Sequence, residues 1–122
     1  MLELKTVMIN NVEYVRKEDI NHKMAVNTDG LEYVIIRTYS AGVHVGYLKK
    51  KDVKEVILID ARRIWYWDGA ASLSQMAVDG VSKPSNCKFS VPVLKIELSA
   101  IEIIYCTDEA EKNIAGVPLW KK

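Results

Sequence analysis

Hydrophobic and polar positions change their spacing several times along the chain, and each change predicts an element. Two short apolar runs flank Asn10-Asn11 in VMINNVEYV, the signature of a hairpin. RKEDI behind it mixes charges as a short helical turn does. In MAVNTDGLEY, Asn27, Asp29 and Gly30 predict a loop. That loop sets the boundary between a small appendage, residues 1–30, and a main domain, residues 31–122.

From Glu32 the period becomes two. EYVIIRTYS places Tyr33, Ile35, Arg37 and Tyr39 on one face, opposite Val34, Ile36, Thr38 and Ser40. Ala41-Gly42 turns this strand into VHVGYL, and Lys49, Lys50, Lys51 and Asp52 read as the next turn, a solvated one. A long strand follows, from about Val53 to Trp67. Alternation puts Ile57, Ile59, Ala61, Arg63, Trp65 and Trp67 on one side. Val56, Leu58, Asp60, Arg62, Ile64 and Tyr66 fall on the other, so the two arginines point apart unless a bulge intervenes.

The period then lengthens. Leu73, Met76 and Ala77 form the stripe of a short helix over about Ala70 to Asp79, with Asp68 as N-cap and Gly80 just past its end. VSKPSNCKFSVP is a loop. VLKIELSAIEIIYC is a strand whose apolar phase slips at Ser99-Ala100, which predicts a bulge. DEAEKNIAG closes the chain as a brief helix capped by Asp108 and stopped by Gly116 and Pro118. The fold class is α+β: an antiparallel β-sheet with one or two short helices and a small N-terminal hairpin appendage.

Composition narrows the function without naming it. Apolar residues at 49% and charged residues at 27% are those of a globular domain. Seventeen Lys and Arg against sixteen Asp and Glu leave a net charge of +1, which argues against a nucleic-acid surface but leaves room for a small anion. No secretory signal and no membrane-length apolar run is expected. Cys87 and Cys106 lack metal spacing and are expected as reduced thiols, and His22 and His44 form no HxxxH pattern, so neither a metal nor a cofactor is expected.

The strongest candidate chemistry is ARRIWYWDGAASLSQMAVDG, residues 61–80. Guanidinium forks suit phosphate, indole faces suit a nucleobase, and a helix start beside Gly69, Ala70, Ala71 and Ser72 offers backbone N–H groups. The competing reading makes Trp65 and Trp67 core or interface anchors, with the arginines salt-bridged at the rim. RTYSAGVHVG, residues 37–46, is a second, weaker candidate, in which His44 lacks the partners of a catalytic triad. PSNCKF, residues 84–89, is a third: Asn86 suits a base edge, Lys88 a phosphate, and Phe89 a stack or the core. No catalytic residue is expected, and the chain reads as a binder and not an enzyme.

RTYSAGVHVGYL, ARRIWYWDGAASLSQMAVDG and KPSNCKF together resemble the first-described family of phage-encoded Thoeris anti-defence proteins, over roughly residues 33 to 119 and including the closing VPLW. The resemblance implies a sponge in the cytoplasm of the infected bacterial host. Such a protein sequesters glycocyclic ADP-ribose, made by TIR-domain enzymes, without cleaving it. It also implies a homo-oligomer built from dimers, as large as a hexamer, with further sites for other cyclic nucleotides. Carried onto matching positions, the ligand contacts would be Arg37, Tyr39, Ser40, His44, Arg62, Arg63, Trp67, Ser74, Asn86 and Phe89. One of Arg62 and Arg63 is expected on the ligand and the other holding subunits together. The alternatives are a hydrolase of such a nucleotide and a protein-docking module that uses the aromatic strand.

Overall fold

The computed structural model describes residues 6–9, 12–15 and 23–122. Strands β1 (Thr6–Ile9) and β2 (Val12–Val15) pair antiparallel with Ile9 opposite Val12, the hairpin expected around Asn10-Asn11. RKEDI lies outside the described residues. Residues 23–30 are tied to the rest of the chain. Ala25 donates its N–H to the Cys106 carbonyl at 3.0 Å and accepts from Tyr33 at 3.2 Å. The Asn27 side chain accepts from the N–H groups of Asp29 and Leu31, both at 2.9 Å. The boundary expected at residue 30 therefore falls inside a hydrogen-bonded turn.

The main body is α+β. Strands β3 (Glu32–Thr38), β4 (Val43–Asp52), β5 (Glu55–Tyr66), β6 (Lys88–Phe89) and β7 (Val93–Tyr105) form an antiparallel sheet. Helices α1 (Leu73–Asp79) and α2 (Asp108–Ala115) complete it. The sheet curls until it closes: β3 pairs with β4, β4 with β5, β5 with β7, and β7 returns to β3. Closure leaves these strands with an inside and an outside.

Both sides are apolar, which is why so many of these strand residues vanish from solvent. Inside lie Val34, Ile36, Val56, Leu58, Ala61, Leu98 and Ala100. Outside, Tyr33, Ile35, Val45 and Ile64 pack against Met76 and Ala77 of α1 and Ala110 and Ile114 of α2. Gly46 makes the tight curl feasible. A Cβ there would stand 3.0 Å from the Ala61 Cα and 3.1 Å from the Ile59 carbonyl oxygen.

Several boundaries differ from the sequence pattern. The lysine run belongs to β4 and not to a turn: Lys50 and Lys51 stand opposite Ile57 and Val56, and the chain reverses at Val53 and Lys54. Pairing needs only backbone groups, so exposed lysines do not end a strand. The pattern also hid the turn because Val53 has φ 55°, a conformation that β-branched residues avoid. Ser72, and not Asp68, caps α1 by accepting from Gln75 N–H at 3.1 Å. Thr107, and not Asp108, caps α2 by accepting from Ala110 N–H at 3.1 Å. The loop after α1 contains β6, which pairs Phe89 with Ile64. The slip expected near Ser99-Ala100 is real: Thr38 stands opposite Ala100 and Arg37 opposite Glu102, leaving Ile101 as the extra residue.

Candidate functional site

The site grows from one irregularity in β5. Between Val45 and Tyr47 of β4 the register slips, so that Asp60 and Ala61 together face Gly46. Asp60 takes φ 52°, a left-handed conformation that Asp tolerates better than most residues. This bulge reverses the phase of the strand. Ala61 joins Val56 and Leu58 inside, and Arg63 and Trp65 follow it to the open end of the closed sheet. Arg62 and Ile64 turn to the outer face. The two arginines do point apart, but each lies on the side opposite to the one that plain alternation assigns relative to Val56 and Leu58.

Arg62 is 3% exposed. Its Nε donates to the Ser90 carbonyl at 2.8 Å and its Nη1 to the Ile114 carbonyl at 3.0 Å. Its Nη2 donates to the carbonyls of Phe89 and Pro118, both at 3.2 Å. Burial pushes its pKa down, yet guanidinium stays charged at any ordinary pH. One side chain thus bonds four carbonyls; those of Phe89 and Ile114 also accept from the N–H groups of Trp120 and Val117. This corrects the expectation that Arg62 contacts a ligand: it has no open approach. All four of its bonds go to carbonyls of its own chain. Phe89 is corrected with it. Its ring is fully buried, with the Arg62 guanidinium 5.5 Å from its centroid, and it offers no stacking face.

Arg63 faces a cleft of about 190 Å³ lined by His44, Ala61, Arg63, Trp65, Ser90, Val93 and Ile96. Its guanidinium lies 5.3 Å from the Trp65 ring centroid, a cation–π contact. His44 is 1% exposed, and its Nε2 donates to the Ala41 carbonyl at 2.9 Å, which leaves Nδ1 as an acceptor. Burial holds the imidazole below its usual 6.5, and the Arg63 charge acts in the same direction against the Ala41 bond. The buried neutral ring forms part of the cleft wall, and among the described residues no carboxylate pairs with it to make it a strong base.

Outside the cleft the aromatic surface continues. Trp65 meets Trp120 edge to face, with centroids 6.2 Å apart, and Lys88 Nζ lies 5.6 Å from the Trp120 ring. Trp65 is 58% and Trp120 45% exposed. The C-terminal segment that carries Trp120 is fastened from several directions. Trp120 N–H donates to the Phe89 carbonyl at 2.9 Å, Leu119 bridges Phe89, and Arg62 holds Pro118.

Of the ten residues expected at a site, the cleft joins His44 and Arg63. Arg37 is exposed and pairs through Nε with Glu102 Oε1 at 3.0 Å. Tyr39 and Ser40 stand in solvent at the tip of the β3–β4 hairpin. Trp67 is half-buried and donates Nε1–H to the Ala70 carbonyl at 3.0 Å. Ser74 lies exposed on α1, and Asn86 donates to Asp68 Oδ2 at 3.1 Å. The expected anion cradle at the start of α1 is already occupied. Ala71 N–H donates to Gln75 Oε1 at 2.8 Å, and Ser72 takes the Gln75 N–H. Gly69 is small because Ser82 packs on it: a Cβ would meet Ser82 N at 2.5 Å.

Trp65, Ser90 and Trp120 were absent from the expected set. Trp65 was visible in the aromatic run; Trp120 had only the terminal VPLW to mark it. Among the described residues no cluster of three or more His, Cys, Asp or Glu is arranged to hold a metal. Burial pushes the Cys106 thiol up to about 12, too high for a nucleophile. No described helix is long and apolar enough to cross a membrane.

Comparison with known proteins adds a family. The model of DUF6948, a domain of unknown function, matches residues 31–114. No curated protein and no solved structure matches the chain.

Proposed function

The chain belongs to the DUF6948 family, and within that family of unknown function we propose that it binds a small phosphate-bearing nucleotide signal and holds it uncleaved. The observation that carries this reading is the cleft at the open end of the closed sheet, where Arg63, Trp65 and neutral His44 converge. A guanidinium takes a phosphate oxygen pair and an indole takes a ring. The ligand class is the glycocyclic ADP-ribose implied by the sequence resemblance. Its sequestration would keep a TIR-based Thoeris defence silent in the cytoplasm of an infected bacterium.

At about 190 Å³ the cleft is smaller than the ~300–1,000 Å³ of typical small-molecule sites. A dinucleotide-sized ligand therefore needs further wall. This supports the proposal of a homo-oligomer built from dimers, in which a second copy closes the site. A second reading has its own observation: Tyr66, Val91, Leu94 and Leu119 are exposed near the same strands, an apolar surface suited to docking a protein.

The test is retention with recovery. The purified protein is mixed with glycocyclic ADP-ribose, freed of unbound ligand by filtration and heat-denatured, and the released material is analysed. Intact ligand released only on heating supports the sponge. A cleaved product makes the protein a hydrolase. No retention removes the sponge reading and leaves the aromatic surface for protein docking.

A further inference from the structure

The cleft ends where a second feature begins, and the two share Trp65. Trp65 lies under Arg63 on the cleft side and against Trp120 on the other, and Trp120 lies under Lys88. Cation, indole, indole and cation thus follow one another from the cleft mouth to the C-terminal segment. Core tryptophans are shielded, but these two expose about half their surface. Exposed indoles cost solubility, and two held together edge to face with a cation on each are a stacking platform for a flat anion.

The segment that brings Trp120 into place is fastened at several points. Arg62 spends two of its bonds on Ile114 and Pro118, Val117 is buried, and Trp120 itself hydrogen-bonds to Phe89. What the buried arginine holds in place is a segment that presents an exposed tryptophan.

We infer that the Trp65–Trp120 ledge is the nucleobase subsite, with Arg63 and Lys88 receiving the phosphate or pyrophosphate of the same nucleotide. This rests on the proposed nucleotide reading of the cleft and supplies the wall the cleft lacks. The sugar lies at the cleft mouth and the base outside, stacked on an indole. Arg62 is a positioning residue that acts through the C-terminal segment.

The experiment titrates AMP, adenosine and inorganic pyrophosphate separately into wild type, Trp120→Ala and Lys88→Ala, followed by calorimetry and intrinsic tryptophan fluorescence. Unchanged circular dichroism and thermal unfolding serve as the check on folding. AMP and adenosine should quench fluorescence, and pyrophosphate should bind without quenching. Trp120→Ala should weaken AMP roughly tenfold, the loss of one stacked base. Lys88→Ala should weaken AMP and pyrophosphate but leave adenosine unchanged. AMP binding equally well to Trp120→Ala and wild type overturns the ledge, as does the absence of any quenching by millimolar AMP.

Retention of glycocyclic ADP-ribose separates this inference from the reading beneath it. Equal retention by wild type and Trp120→Ala overturns the ledge and leaves the sponge standing. AMP binding that depends on Trp120, without retention of the cyclic ligand, supports the ledge and overturns the sponge.

Discussion

The outer face of β5 and the mouth of the closed sheet each receive one guanidinium from the same dipeptide, and they treat it in opposite ways. On the outer face Arg62 is sealed beneath the C-terminal segment, and its donors meet carbonyls at 2.8 to 3.2 Å. At the mouth Arg63 lies in a cleft beside an indole. Burying a cation is tolerable only when its nitrogens find partners, and on the outer face each of the three guanidinium nitrogens meets a backbone carbonyl. Among the described residues the mouth gives its cation no hydrogen-bond partner, which costs little in contact with water and leaves it for an anion. Paired basic residues in a strand are thus two separate devices, and the face decides which is structural.

Substitutions that break this division should rank by how deeply they reach. Arg62→Ala should be the most damaging, removing four hydrogen bonds, leaving the Ser90 and Pro118 carbonyls without a donor and destabilising the fold by about 3 kcal/mol or more, read from denaturant midpoints. Arg62→Lys should rescue little, since an ammonium cannot span that fork. An Arg62→Ala variant as stable as wild type would mean that the outer face does not depend on its cation. Gly46→Val comes next, at about 2 kcal/mol, because its side chain would press on Ala61 and Ile59 where the bulge crosses β4. Its signature is lost stability with the outer face intact, so Trp120 should keep its fluorescence environment in the folded fraction.

His44 offers a gentler probe of the mouth. Its pKa is lowered on folding, so the unfolded chain binds the extra proton first. Stability should be level above the usual 6.5, fall as pH drops below it, and level again beneath the folded value. His44→Asn should lack that step in unfolding curves taken across this range, and a step that persists in the variant would assign it to another group. Arg63→Ala should do least to the fold, within about 0.5 kcal/mol, while weakening the binding of a phosphate-bearing ligand by about tenfold. If Arg63→Ala unfolded the protein as Arg62→Ala should, the two faces would not differ as described.

Much of the fold was legible because local pattern and tertiary demand agreed. The strand from Glu32, the long central strand and the slip near Ser99-Ala100 all follow from apolar spacing. Where they parted, one residue usually explains it. Val53 is a poor turn residue by its type, so the turn was placed on the lysines. Asp68 and Asp108 are good caps in isolation, but Ser72 and Thr107 hold the positions from which a side chain reaches the free N–H groups. The site was less legible. A bulge was foreseen only as a condition, and without it the faces of Arg62 and Arg63 relative to Val56 and Leu58 are reversed. Trp120 meets Trp65 across more than fifty positions of chain, and no local period records such a meeting.

Asp60 adds one residue to β5, and everything downstream is counted from it. Deleting that single position would leave Ile59 opposite Tyr47 and Ala61 opposite Gly46, a regular pairing that keeps Arg62 outside and Arg63 at the cleft. Flattening the bulge with the residue retained is what would exchange them, offering Arg62 to the cleft and Arg63 to the C-terminal segment. Glycine or asparagine at position 60 accepts the left-handed backbone and so preserves the bulge. A β-branched side chain there resists that conformation and presses the strand toward the flat register. Over evolutionary time this position should therefore bear loss of the residue more readily than its replacement by valine or isoleucine.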